Sequence, residues 1–119
     1  MPPKNLQPVV LAQERQDHHA VLHLQVPADL AHFEGHFADM PILPGVVQLD
    51  WAIRHTRVLF AIDNAFAALE NLKFHAPVWP RSELTLTLDW DPMRHRVEFS
   101  YSNRARKYAS GRVVFGPSS

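Results

Sequence analysis

Only one stretch of this chain can form a long helix, and strand patterns lie on both sides of it. Residues 46–63, VVQLDWAIRHTRVLFAID, run without Gly or Pro. The spacing predicts one helix of about five turns, at 3.6 residues per turn. Leu49, Ala52, Ile53, Thr56 and Phe60 recur at steps of three and four and share a face. Asp50, Arg54 and Arg57 share a neighbouring stripe. Apolar residues extend well around the circumference, which suits a helix wrapped by other structure. Trp51 and Phe60 are expected in the core, because apolar helix positions usually pack.

The flanking segments alternate with a period of two, the mark of a strand with one buried face. In HAVLHLQV, residues 19–26, Ala20, Leu22, Leu24 and Val26 alternate with Val21, His23 and Gln25. Pro27 ends that run. Residues 8–15 form a further strand candidate. After the helix come AFAALENLKFHAPV and PRSELTLTLDWDP. In the second, Leu84, Leu86, Leu88 and Trp90 alternate with Thr85, Thr87 and Asp89. DPMR is a turn signal before HRVEFSYS, and KYASGRVVF is the last strand candidate. Two strands, one helix and about four strands point to an α+β architecture. An antiparallel sheet curled around the helix is the simplest way to bury both.

Between the second strand and the helix lies PADLAHFEGHFADMPILPG, residues 27–45. Its three prolines and two glycines forbid a regular element throughout. It is nevertheless rich in Phe, Leu, Ile and Met, so it is expected to be a packed loop rather than a solvated one.

Bulk properties exclude several kinds of chemistry. The 119 residues suggest one domain, 1–119, with a small core. Twelve basic residues balance twelve acidic ones, so nothing points to nucleic acid. There is no cysteine, hence no disulfide, thiolate metal site or cysteine nucleophile. MPPKNLQPVV does not read as a signal peptide. Arg54, His55 and Arg57 interrupt the longest apolar run, so no membrane span is expected. A cytoplasmic location follows as the default expectation.

The run GHFADMPILPGVVQLD, from Gly35 to Asp50, resembles the active-site segment of the FabA- and FabZ-type 3-hydroxyacyl-[acyl-carrier-protein] dehydratases. That pattern joins a GHF or CHF tripeptide, a proline, a PG pair and a helix bearing an acid. Its His and acid lie fourteen positions apart, as His36 and Asp50 do, and Gly45 stands at the PG. Aspartate is the acid of the FabA type, glutamate that of the FabZ type. The phrase LKFHAPVWPRSEL also looks like a family strand and turn. The wording PILPGVVQLDWAI more closely resembles the ApeI-like dehydratases of aryl-polyene lipid biosynthesis.

The resemblance implies a hot-dog fold, an antiparallel sheet wrapped around one long central helix. It implies dehydration of a (3R)-3-hydroxyacyl-[acyl-carrier-protein] thioester to the trans-2-enoyl thioester, in fatty-acid or aryl-polyene-type lipid biosynthesis. It implies no cofactor and no metal. It implies a homodimer or higher hot-dog oligomer, with His36 of one subunit facing Asp50 of the other. An acyl carrier protein would deliver the substrate on its phosphopantetheine arm. Arg81, Arg104, Arg106 and Lys107 are the basic candidates for meeting it.

The residues suit that chemistry. Dehydration needs a base for the C2 proton, an acid for the departing hydroxyl and donors for charge growing on the thioester oxygen. Imidazole titrates near neutrality, so His36 fits the base. Asp50 fits the acid, or holds the departing water. Gly45 falls at the start of the helix, where free N–H groups and the helix dipole favour negative charge. Val46 and Arg54 complete the substrate-binding candidates.

Plainer readings stand beside these. Asp50 and Arg54 are four apart and could form a simple surface pair. Arg54 also departs from the dehydratase pattern, which commonly has Gln there. His32 precedes His36 by four in a loop, without a metal motif. His18 and His19 suit a turn, and 104–107, RARK, a solvated turn. Two other functions fit a hot-dog chain. One is an acyl thioesterase using Asp50 to activate water. The other is a non-catalytic subunit that binds acyl carriers or pairs with an active partner.

Overall fold

The computed structural model describes residues 6–29, 42–104 and 106–117. The elements run β1 (Val9–Gln16), β2 (His19–Gln25), α1 (Gly45–Phe60), β3 (Phe66–Phe74), β4 (Glu83–Asp91), β5 (Arg96–Ser102) and β6 (Lys107–Phe115). All six strands join one antiparallel sheet in the order β1-β2-β4-β5-β6-β3. The helix lies against the inner face of this sheet, as the α+β reading expects.

The period-two pattern places the core. Ala20, Leu22 and Leu24 on β2 stand opposite Leu88, Leu86 and Leu84 on β4. Leu88, Leu86 and Trp90 continue across to Phe99, Tyr101 and Val97 on β5. Val97, Phe99 and Tyr101 then meet Val113, Gly111 and Ala109 on β6. Gly111 is required there, because a Cβ would lie 2.9 Å from the Phe99 ring. Every one of these apolar side chains is buried. Fully burying each Val, Leu or Phe side chain among them contributes about 1.5–3 kcal/mol relative to exposure.

The helix differs from its sequence expectation in two respects. It spans sixteen residues and stops at Phe60, three short of Asp63. Ala61 turns left-handed, at φ 52 and ψ 47, and its N–H caps the Arg57 carbonyl. No glycine or proline marks that stop, so the pattern alone runs through it. Downstream contacts hold the end instead. Arg57 Nη2 donates to the Asn64 carbonyl at 3.1 Å, and Asn64 Nδ2 donates to the Gly116 carbonyl at 2.7 Å.

The buried stripe is also wider than expected. Ala52, Thr56 and Phe60 are buried, while Leu49 and Ile53 are only half-buried. Val47, Gln48 and Trp51 are buried as well. Trp51 Nε1 donates to the Leu6 carbonyl at 3.1 Å, so even its polar tip is satisfied. Thr56 returns its hydroxyl proton to the Ala52 carbonyl at 2.7 Å. One stripe stays bare: Val46 and Val58 are 72% and 78% exposed, with exposed Asp50 and Arg54 between them.

The two sheet edges are uncovered. All eight residues of β1 are exposed, and seven of the nine in β3. β3 bears Phe66, Leu72 and Phe74 as large exposed apolar side chains. A register shift between Glu70 and Lys73 coincides with positive φ at Asn71. No described helix is long and apolar enough to cross a membrane.

Candidate active site

The segment before α1 ends in Leu43-Pro44-Gly45. Leu43 N–H bonds to the Val78 carbonyl at 2.8 Å, which ties the helix entry to the loop between β3 and β4. Pro44 is the N-cap and supplies no side-chain bond. Its carbonyl accepts from Val47 and Gln48 N–H at 3.1 and 3.3 Å. Gly45 is the first helical residue, as predicted, and the first turn holds no acidic side chain. This end of the helix therefore keeps its attraction for a negatively charged ligand atom.

Gly45 opens onto a cavity of about 530 Å³. Ile42, Leu43 and Pro44 line it on the helix side, with Gln48 one turn along. Phe74, His75, Ala76 and Pro77 form the opposite wall. The size and mainly apolar lining suit a small organic ligand. His75 and Ala76 are anchored through their N–H groups to the Tyr108 carbonyl, at 2.8 and 3.4 Å.

Gln48 is the unusual member of this wall. It is buried, and its Nε2 donates to the Leu43 carbonyl at 3.3 Å. Its Oε1 has no hydrogen-bond partner among the described residues. Its backbone carbonyl accepts the Tyr101 hydroxyl at 2.5 Å. Complete burial, and then the charge of Asp50, hold the Tyr101 phenol well above its ordinary value of 10.0. Tyr101 is thus a neutral donor that fixes the first turns of α1.

Asp50 does not join the Gly45 cavity within one chain. Five residues along a helix is a rotation of about 140°, so the two face apart. Asp50 lies on the bare stripe, and Arg54 Nε donates to its Oδ2 at 2.8 Å, both side chains being more than half exposed. The i,i+4 pair anticipated from spacing is therefore present. The side chains of Val46 and Arg54 lie on the same bare stripe and do not line the cavity. His36 and His32 fall outside the described residues.

The remaining candidates are scattered. Arg104 lines a separate cavity with His23, Glu83 and Asn103. Arg81 has positive φ and bonds through its N–H to the Val26 carbonyl at 2.7 Å. Arg106 and Lys107 are exposed at the start of β6, next to the Tyr108 that anchors His75. His18 lies in the β1–β2 turn, but His19 begins β2, with Nδ1 2.6 Å from Asp89 Oδ1. No group of three potential metal ligands occurs among the described residues. Gln48, Phe74 and His75 are cavity residues that sequence reasoning missed. The signal for Phe74 and His75 was the phrase LKFHAPV, whose contact with the helix entry is long-range, and Gln48 stands inside the Gly35–Asp50 run.

A sheet wrapped around one helix, with a cavity at the helix N-terminus, defines a hot-dog protein. Comparison with known proteins gives the family. The ApeI-like model, described as ApeI dehydratase, matches residues 12–112, and the chain belongs to that family. The dehydratase heterocomplex ApeI:P from Xenorhabdus doucetiae superposes with TM-score 0.88 at 30% identity, covering 93% of this chain and 99% of that one. An uncharacterized protein from Erwinia carotovora subsp. atroseptica superposes at 0.82 with 35% identity, covering 92% and 96%. The 3-hydroxyacyl-[acyl-carrier-protein] dehydratase FabZ of Roseiflexus sp. (strain RS-1) is 32% identical over 74 residues, 56% of this chain and 51% of the relative. The chain spans about half the length of the curated relatives it matches.

Proposed function

We propose that this protein dehydrates 3-hydroxyacyl thioesters carried on acyl carrier protein to trans-2-enoyl thioesters, in fatty-acid or aryl-polyene-type lipid biosynthesis. The observation that carries the reading is the opening of Gly45, at the start of α1, onto an apolar cavity, in a chain of a dehydratase family. The thioester carbonyl would rest on the Gly45 N–H, with the Val46 N–H beside it. His36 would take the C2 proton, leaving an enolate whose oxygen those donors stabilise. The electrons then close the C2–C3 double bond, and the C3 hydroxyl leaves with a proton as water.

Asp50 is the proposed source or guide of that proton, acting from a second subunit. Gly45 and Asp50 face apart on one helix, so a single chain offers two half-sites. The bare stripe from Val46 to Val58 and the exposed β3 edge are the surfaces that pairing would cover. Arg54 holds one carboxylate oxygen of Asp50, which leaves the other to meet the substrate hydroxyl.

The experiment is subunit complementation. His36→Ala and Asp50→Asn should each lower turnover by about a hundred- to ten-thousandfold. Mixing the two under subunit exchange should restore roughly a quarter of wild-type activity, because half the dimers then hold one intact site of two. Absence of recovery, despite exchange, would remove the shared-site reading.

A second reading has a specific motive. The Xenorhabdus relative is described as a heterocomplex. The partner that completes the site would then be a different hot-dog chain. Inactivity of the purified protein alone, with activity gained on adding such a chain, distinguishes it. Hydrolysis to free thiol without enoyl product would instead indicate a thioesterase.

A further inference from the structure

The contact between Gly45 and Phe74 is the tightest feature of the cavity. A Cβ built on Gly45 would lie 2.9 and 3.0 Å from the Cε1 and Cε2 atoms of Phe74, and closer still to Cζ. The ring therefore occupies the space that any other residue at position 45 would fill. Phe74 is the last residue of β3, between the irregularity at Asn71 and the anchored pair His75–Ala76. That backbone aims the ring at the helix entry. Yet Phe74 is 52% exposed, so core packing does not explain its position.

We infer that Phe74 is a specificity-determining residue, a wall that selects against bulk at C2 of the acyl group. The inference rests on the proposed role of Gly45 in holding the thioester oxygen. A carbonyl oxygen on the Gly45 N–H would bring C1 and C2 to the end of the cavity that Gly45 and the Phe74 ring line together. The ring then limits the width available at C2, at its own end of the cavity. A 2-methyl branch meets the ring, and an unbranched chain does not. Gly45 and Phe74 act as one matched pair, the missing side chain making room for the ring.

The test uses the full chain, with any partner subunit its activity requires. Turnover of 3-hydroxybutyryl- and 2-methyl-3-hydroxybutyryl-pantetheine is compared in wild type, Phe74→Leu, Phe74→Ala and Gly45→Ala/Phe74→Ala. Wild type should prefer the unbranched substrate, and Phe74→Ala should relax that preference about tenfold, the discrimination one methyl group supports. Phe74→Leu should fall between. The double variant should regain part of the preference, because its new methyl group refills the vacated space.

Calorimetric binding of butyryl- and 2-methylbutyryl-pantetheine separates failure of the inference from failure of the dehydratase reading. If these analogues bind with the same Phe74-dependent preference but no enoyl product forms, the wall stands and dehydration falls. An unchanged preference in folded Phe74→Ala and Phe74→Leu overturns the wall. So does a loss of oligomeric state with preference intact, which would assign the ring to subunit contact. If neither analogue binds wild type, both readings fall together.

Discussion

The two ends of α1 are built on opposite terms. At the C-terminal end the Arg57 carbonyl is capped by the N–H groups of both Ala61 and Ile62. Ala61 accepts a left-handed conformation, at a cost of about 1–2 kcal/mol, to cap Arg57. Arg57 and Asn64 then tie the end to the last strand. Phe60, Trp90 and Phe115 close over it, with ring centroids 6.4 and 5.7 Å apart. At the N-terminal end the cap has no side-chain bond, Gly45 has no side chain, and Gln48 Oε1 has no partner among the described residues. One end is closed by contacts that serve the fold. The other leaves donors and space unspent, which is what a ligand needs.

This contrast can be broken most strongly at the closed end. Trp90→Ala should cost about 3–5 kcal/mol, read by chemical denaturation, because it empties a buried aromatic cluster. Asn64→Ala should cost about 1–3 kcal/mol by leaving the Gly116 carbonyl unmatched. Neither should change substrate preference in the protein that remains folded. At the open end the expectation reverses. Gln48→Met replaces a buried, half-satisfied amide by an apolar shape, and stability should move by less than about 1 kcal/mol. Arg54→Ala removes an exposed pair and should cost no more than about 0.5 kcal/mol. Its effect should appear in turnover, since Asp50 loses the group that orients it.

Acid and alkali sharpen the comparison in the same way. His55 lies midway along α1, with Nε2 buried and without a hydrogen-bond partner among the described residues. Burial holds its imidazole below the ordinary value of 6.5. The unfolded chain therefore binds this proton first as pH falls. His55 leaves stability intact above about pH 6.5 and erodes it from there down to its lowered folded value. Melting temperatures of wild type and His55→Gln should converge or cross below that point. Tyr101 acts at the other extreme. Its raised value means that stability is kept below pH 10.0 and lost as pH rises beyond it. The melting temperature of Tyr101→Phe should fall less steeply there.

Much of this was legible in the chain. The alternation of Leu84, Leu86, Leu88 and Trp90 could bury only one face of a strand, and that face is the core. Gly45 was expected at the start of the helix, and it is the first helical residue. The segment from Gly35 to Asp50 resembles the dehydratases in its GHF, PG and acid residues, and the match over residues 12–112 bears that resemblance out. The Asp50–Arg54 pair followed from one helical turn.

What sequence periodicity could not decide was everything that depends on distant residues meeting. The helix stop at Phe60 is set by Asn64 and Gly116, not by any local signal at Ala61. The face of Gln48 is buried because Leu43 and Tyr101 come to it from either side. Phe74 reaches Gly45 only because antiparallel pairing with β6 returns β3 to the helix entry. Local sequence determines hydrogen-bonding period and turn chemistry, which act over a few residues. Only closure of the sheet around the helix brings a glycine and an aromatic ring twenty-nine positions apart to share one space, and so separates the open end from the closed one.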